Sequence, residues 1–153
     1  MTLSAADIKF FQSELEGSSG GAMSTLEIPK NQLCLIFGDV SRSAARYGGV
    51  EYRKVFAVNT HPTGELYSGR LWLLMQPIDG VDMAIGIGTL DDTDPDPIPF
   101  VSPTDKSQAI YLGDLVPGSV TPIWLRRVVS PETPEFDRGF FQLALTGNAL
   151  QGA

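Results

Sequence analysis

Four aspartates, Asp91, Asp92, Asp94 and Asp96, crowd the stretch DDTDPDPIPFVSP at 91–103, the densest set of chemistry-bearing side chains in the chain. Clustered carboxylates are the oxygen donors that Ca²⁺ takes. The EF-hand spacing D-x-[DN]-x-[DN]-G with its distal Glu is missing, however. Pro95, Pro97 and Pro99 also hold the segment extended, which spreads the carboxylates apart. The stretch therefore reads as a solvated acidic loop that discourages edge-to-edge aggregation. His61 is the only histidine, so a multi-histidine metal site is excluded. It sits in a turn between Thr60 and Pro62, and no G-x-S-x-G elbow supplies a nucleophile, so it reads as a loop histidine without a role. Gly86-x-Gly88 lacks the third glycine and the following helix of a dinucleotide site. No catalytic residue, no cofactor and no metal is expected, and the chain reads as a non-enzyme.

Charge narrows the partners. A net charge of −7 opposes binding to nucleic acid through phosphates, which needs clustered Lys and Arg to displace counterions. The basic pairs Arg42/Arg46, Arg53/Lys54 and Arg126/Arg127 sit among acids or on expected strands, and read as solvated strand edges or protein contacts. The single cysteine, Cys34, excludes an internal disulfide and lies in the apolar run 33–37, where a buried small hydrophobe is the default. No run approaches the ~20 apolar residues of a membrane helix. The opening MTLSAADIKFF lacks a basic-then-apolar export pattern. The expectation is a soluble chain with no membrane contact.

The elements that must carry these residues are mostly strands. With 153 residues, 42% of them hydrophobic, the chain can bury one substantial core. Sixteen glycines and eleven prolines with only 19% charged residues suit short strands and turns better than a helical bundle. Residues 1 to about 35 read as an extended N-terminal arm. Asp7–Gln12 and Ser24–Ile28 are short strand-like runs on either side of the flexible GSSGG at 17–21. Strands this short do not stand alone, so Phe10 and Phe11 must bury against the domain's own sheet edge or against a neighbouring subunit. Residues 31–37 are one helical turn or a buried strand. Ser41 as N-cap and Gly48 as C′ residue bracket one short helix over 42–47, with Arg46 at the negative end of its dipole.

From residue 36 to 153 the sequence predicts one domain of strands. Val50–Asn59 places Tyr52, Phe56 and Val58 on one face, with Lys54 the exception, and Val55 and Ala57 on the other. Gly69–Gln76 is apolar on both faces, as a central covered strand would be. Val81–Gly88 alternates, with Gly86 and Gly88 on the outer face leaving room for a close neighbour. Ser107–Leu112, Val120–Val129 and Gly139–Thr146 follow. This spacing predicts an all-β fold, an antiparallel immunoglobulin-like β-sandwich of seven to nine strands, with a closed barrel as the alternative. Trp72 and Trp124 read as core or interface anchors and not as cofactor platforms.

Four segments carry a family resemblance. The opening DIKFFQSE, the Gly-Gly before M-S-T-x-E-I, and the block L-I-F-G-D-V-S-R-S-x-x-R-x-G-x-V-x-Y-R-K-V-F ending at Phe56 resemble the N-terminal module of virion structural proteins of tailed bacteriophages. The later L-G-D-L-x-P-G-x-x-x-P-I-W-L-R-R is similar to small phage structural proteins with immunoglobulin-like sandwiches. The resemblance implies location in a virion assembled in the bacterial host cytoplasm, in the tail, baseplate or neck or as a capsid decoration. The partners it implies are copies of the chain and other virion proteins. It implies no catalytic residue. The competing reading is a carbohydrate-binding β-sandwich module, for which Tyr67 and Tyr111 are the candidate aromatics. The expected interface comprises Phe10 and Phe11 on the arm and Arg42, Arg46, Arg53 and Lys54 at the seam, facing an acidic neighbour. For the aspartate loop, calorimetric titration with Ca²⁺ is expected to give no binding heat at millimolar metal; a saturable heat would make it a cation site.

Overall fold

The computed structural model describes residues 3–15, 19–29, 36–37, 42–75, 80–131 and 142–149. Eight strands run through them: β1 Ile8–Ser13, β2 Met23–Ile28, β3 Gly49–Asn59, β4 Leu66–Met75, β5 Val81–Ile87, β6 Ile110–Leu115, β7 Val120–Val129 and β8 Gln142–Ala149. One helix, α1 Arg42–Tyr47, precedes β3. It ends at Gly48, whose φ of 82° is the left-handed conformation that a C′ glycine adopts without a Cβ penalty. The strands form two antiparallel sheets, ordered β2-β1-β3-β7-β5 and β6-β4-β8. This is the all-β sandwich that the sequence predicts, within the expected number of strands.

Of the two placements open to the arm, the structure takes the domain's own sheet. β1 pairs with β3 from Ile8↔Asn59 to Gln12↔Val55, and β2 pairs with β1 on its far side. Phe10 lies opposite Ala57 and packs against the inter-sheet core, while Phe11 lies opposite Phe56 on the other face. The reason is local. Two adjacent aromatics point to opposite faces of a strand, and an edge beside β3 is apolar on both. An independent arm is therefore not what residues 8–28 form. Gly20 and Gly21 in the expected linker are buried; residues 16–18 lie outside the described set.

Between the sheets sits the core. Val55 and Ala57 of β3, Met83 and Ile85 of β5, and Ile123 and Leu125 of β7 meet Leu71 and Leu73 of β4. Leu143 and Leu145 of β8 pack against the same cluster. β4 is central in its sheet as expected, but Trp72 on its outward face is only half-buried. The sheet covered on both faces is the other one. Lys54, Val55, Phe56 and Ala57 are buried consecutively in β3, as are residues 122–125 in β7.

What covers the outward face is the segment after β5. Val101 exchanges two backbone hydrogen bonds with Ile85, at 2.8 and 2.9 Å, which pins the segment to the outer edge of β5. Leu73 N–H of β4 then donates to Pro103 O, so the chain steps from one sheet to the other here. β6 starts three residues later than the sequence predicts. Asp105 accepts from the Gln108 N–H at 3.0 Å and caps a 3-10 turn over Lys106–Gln108 that uses up those residues.

The core makes a direct demand on stability. Leu71 is fully buried, facing β3, β5 and β7 across the sandwich. Leu71→Ala is expected to lower the unfolding free energy by about 2–5 kcal/mol, because the removed methyls leave a cavity that paired strands cannot close. Urea denaturation measures it.

Candidate functional site

The outward face of β3 and β7 holds a charged cluster where an apolar one would be expected. Lys54 and Phe56 alternate with the core-facing Val55 and Ala57, and Trp124 lies directly opposite Lys54 across the β3–β7 pair. Lys54 and Trp124 are completely buried. An ammonium stripped of water is costly unless its hydrogens are all received. Here they are. Lys54 Nζ donates to Gly21 O at 2.9 Å and Asp92 O at 3.1 Å, and its remaining contact is the Asp92 carboxylate through Oδ1. The faces of Phe56 and Trp124 lie 5.1 and 5.7 Å from the nitrogen, a favourable placement for a cation over aromatic rings.

Asp92 is held as tightly as the lysine. Its Oδ2 accepts from the Trp124 indole Nε1–H and from the Thr89 N–H, both at 3.1 Å. Burial raises its pKa, but the bonds from Lys54, Thr89 and Trp124 and the Lys54 charge outweigh it and hold the carboxyl below its usual value. Its carbonyl accepts the Gly21 N–H at 2.9 Å as well as Lys54, which ties the β1–β2 turn to the loop after β5. The approach is possible only through glycine. A Cβ on Gly88 would stand 2.7 Å from Asp92 Oδ2 and 2.6 Å from Trp124 Cδ1. A Cβ on Gly86 would meet Ile98 Cγ2 at 2.3 Å. The room that the sequence leaves at these two glycines is filled by the aspartate loop.

A second cluster occupies the core face of the same strands. Arg127 of β7, 1% exposed, donates through Nη2 to Glu51 Oε1 and Oε2 at 2.8 and 3.0 Å. The Phe37 ring lies 5.0 Å from the Arg127 guanidinium and 5.2 Å from that of Arg53. Arg53 also donates to Ile36 O and Tyr52 O. On the outward face Arg126 lies over the Phe100 ring at 4.8 Å, and that ring meets Tyr52.

These positions revise the expected interface. Lys54 has no surface to offer, and Arg53 spends its hydrogen bonds inside the domain. Phe10 belongs to the core, and Phe11 is half-buried beside Phe56. Arg46 is exposed, its guanidinium 5.3 Å from the exposed Tyr47 ring. The Arg42 side chain lies outside the described set, as do Cys34 and Ser41. Asp92 is likewise not a solvated member of an acidic loop. Asp91, Asp94 and Asp96 are exposed, and no group of three or more metal-ligating side chains occurs among the described residues.

His61 has a role after all. It is buried, and its Nδ1 accepts from the Gly64 N–H at 2.6 Å and the Thr63 N–H at 3.1 Å, fastening the turn after β3. Asn59, fully buried, completes that turn by donating to Gly64 O and Leu115 O. Comparison with known protein families, with curated proteins and with solved structures finds no match.

What the site can do is hold three segments together. Asp92→Ala leaves the Lys54 charge buried without its counter-ion, and is expected to cost about 3–5 kcal/mol. Lys54→Met removes the charge and leaves a carboxylate that still has two N–H donors and some contact with water, so its cost is expected to be smaller. The double variant should cost less than the sum of the two. Urea denaturation of the three variants gives the coupling, and strict additivity would mean that the pair does not act as a unit.

Proposed function

We propose that the chain is a non-enzymatic structural protein of a tailed-phage virion, an immunoglobulin-like sandwich used in multiple copies in the tail, baseplate or neck or as a decoration on the capsid. The sequence resemblance supplies the particle. The observation that supports a building block is the open edge of the five-stranded sheet. Among the described residues β2 is paired only with β1, and it carries Met23 and Leu26, 39% and 60% exposed. The opposite edge, β5, is bridged by Val101 at Ile85. Glu27, ion-paired with Lys9, is the one charged side chain on this strand, and an edge whose outer backbone groups are unpaired beside exposed Met23 and Leu26 is a template for another chain. The basic and acidic side chains nearest the centre of the molecule are spent on internal bracing, which fits a part built for rigidity.

On this reading the contact surface is β2 and not the basic seam at 42–54. Replacing Met23 and Leu26 with Glu should reduce incorporation into particles at least tenfold, measured by mass spectrometry of purified virions, while circular dichroism and thermal midpoint stay near wild type. Incorporation at the wild-type level would remove β2 from the interface. Absence of the wild-type chain from purified particles would remove the virion reading itself.

A carbohydrate-binding module is the second reading, and one placement favours it. Tyr111, 60% exposed, stands on the outward face of the three-stranded sheet beside Arg70, whose guanidinium is 5.7 Å from the ring. Tyr67 is the weaker candidate, because its hydroxyl is engaged with Glu65.

A further inference from the structure

The pairing of Lys54 with Asp92 has the parts of a bond-forming site as well as of an ion pair. The amine nitrogen touches the carboxylate at Oδ1, with the nitrogen fully buried between the Phe56 and Trp124 rings and the carboxylate at the rim of that cover. The contact at Oδ1 gives the proton that must leave the ammonium a direct path to the carboxylate. Gly21 O and Asp92 O receive two hydrogens of the nitrogen, so the third lies toward the carboxylate, and its transfer to Oδ1 leaves a lone pair on the side that faces Asp92. The Asp92 oxygen on the other side, Oδ2, is held by the Trp124 indole N–H and the Thr89 N–H, both at 3.1 Å. Two fixed donors on the oxygen that gains charge when a nucleophile adds to the carbon are the arrangement of an oxyanion hole.

The geometry points to an intramolecular isopeptide bond between Lys54 Nζ and Asp92 Cγ, formed by the folded chain without a cofactor. The Lys54 ammonium passes one proton to Oδ1, and Nζ adds to Cγ while Oδ2 takes the negative charge in the two-donor hole. A second proton moves from the nitrogen to Oδ1. The Cγ–Oδ1 bond breaks and Oδ1 leaves as water. Ammonium and carboxylate become one secondary amide and one water, with no change of oxidation state and no co-reactant. The product ties β3 covalently to the loop over its outward face, closing a ring through residues 54–92. That ring does not depend on the virion reading, and it needs only the folded domain.

Mass spectrometry of the purified, folded chain after prolonged incubation at neutral pH tests this. The denatured mass is expected to fall short of the sequence mass by one water. Combined digestion with trypsin and a Glu-specific protease, which cuts after Arg53, Glu65, Arg70 and Lys106, should leave residues 54–65 joined to residues 71–106 with 66–70 released. Lys54→Arg should show the full mass and no joined peptide. A wild-type chain at the full sequence mass would overturn the proposal. So would a lost water with 54–65 and 71–106 recovered separately, which is the signature of an aspartyl succinimide, or a joined peptide that persists in Lys54→Arg.

Discussion

A lysine on the outward face of a central strand, with no water to solvate it, is the constraint from which most of the arrangement follows. Lys54 occupies a position between Tyr52 and Phe56 on a face that is otherwise apolar, directly opposite Trp124. Removing such an ammonium from water costs several kcal/mol. The fold recovers that cost only by bringing three acceptors to one atom. Two come from backbone that is far away in sequence, at Gly21 and Asp92, and the third is the Asp92 carboxylate. The loop after β5 must therefore lie on the sheet, Gly86 and Gly88 must lack side chains beneath it, and the β1–β2 turn must close over its end.

The same two strands repeat the device on the opposite face. Glu51 and Arg127 are paired across β3 and β7 and close against Phe37, whose ring Arg53 also approaches. Replacing a buried ion pair with matched apolar residues is often neutral or stabilising, so such pairs are poor evidence for stability alone. Their geometric demands are sharper than those of apolar contacts, and here each fixes a segment outside the named strands. Lys54 fixes the 89–101 loop and Gly21. Arg127 and Arg53 fix the stretch at Ile36–Phe37 that leads into α1. What remains at the periphery is apolar edge and exposed acid, a surface suited to lateral contact.

Much of the fold was legible because strand signals are local. Val50–Asn59 and Val81–Gly88 were patterned with period two, Val120–Val129 followed a Pro-Gly turn, and the structure places strands at all three within a residue. The helix at 42–47 was legible from Arg46 and Gly48. The fate of Phe10 and Phe11 was not, because a strand edge beside β3 and one on another subunit present the same pattern. The Lys54–Asp92 pair was missed although one signal existed: a single cation on the apolar Tyr52/Phe56/Val58 face calls for a counter-ion under a cover. The aspartate run was read by its composition, which cannot tell Asp92 from its exposed neighbours Asp91 and Asp94. Only the packing of the loop on Gly86 of β5 and on Gly88 just after it separates them. His61 was misread for the same reason, since its two backbone donors follow it in the turn and are set by conformation.

Amide hydrogen exchange in Asp92→Ala probes most directly whether this one pair holds the outward cover in place. Gly21 N–H, bonded to Asp92 O, and Val101 N–H, bonded to Ile85 O, report on the two ends of the cover. Both should exchange slowly in the wild-type chain and lose protection together in the variant, while amides paired between β4 and β8 keep theirs. Unchanged protection at Gly21 and Val101 in a folded Asp92→Ala chain would contradict the account.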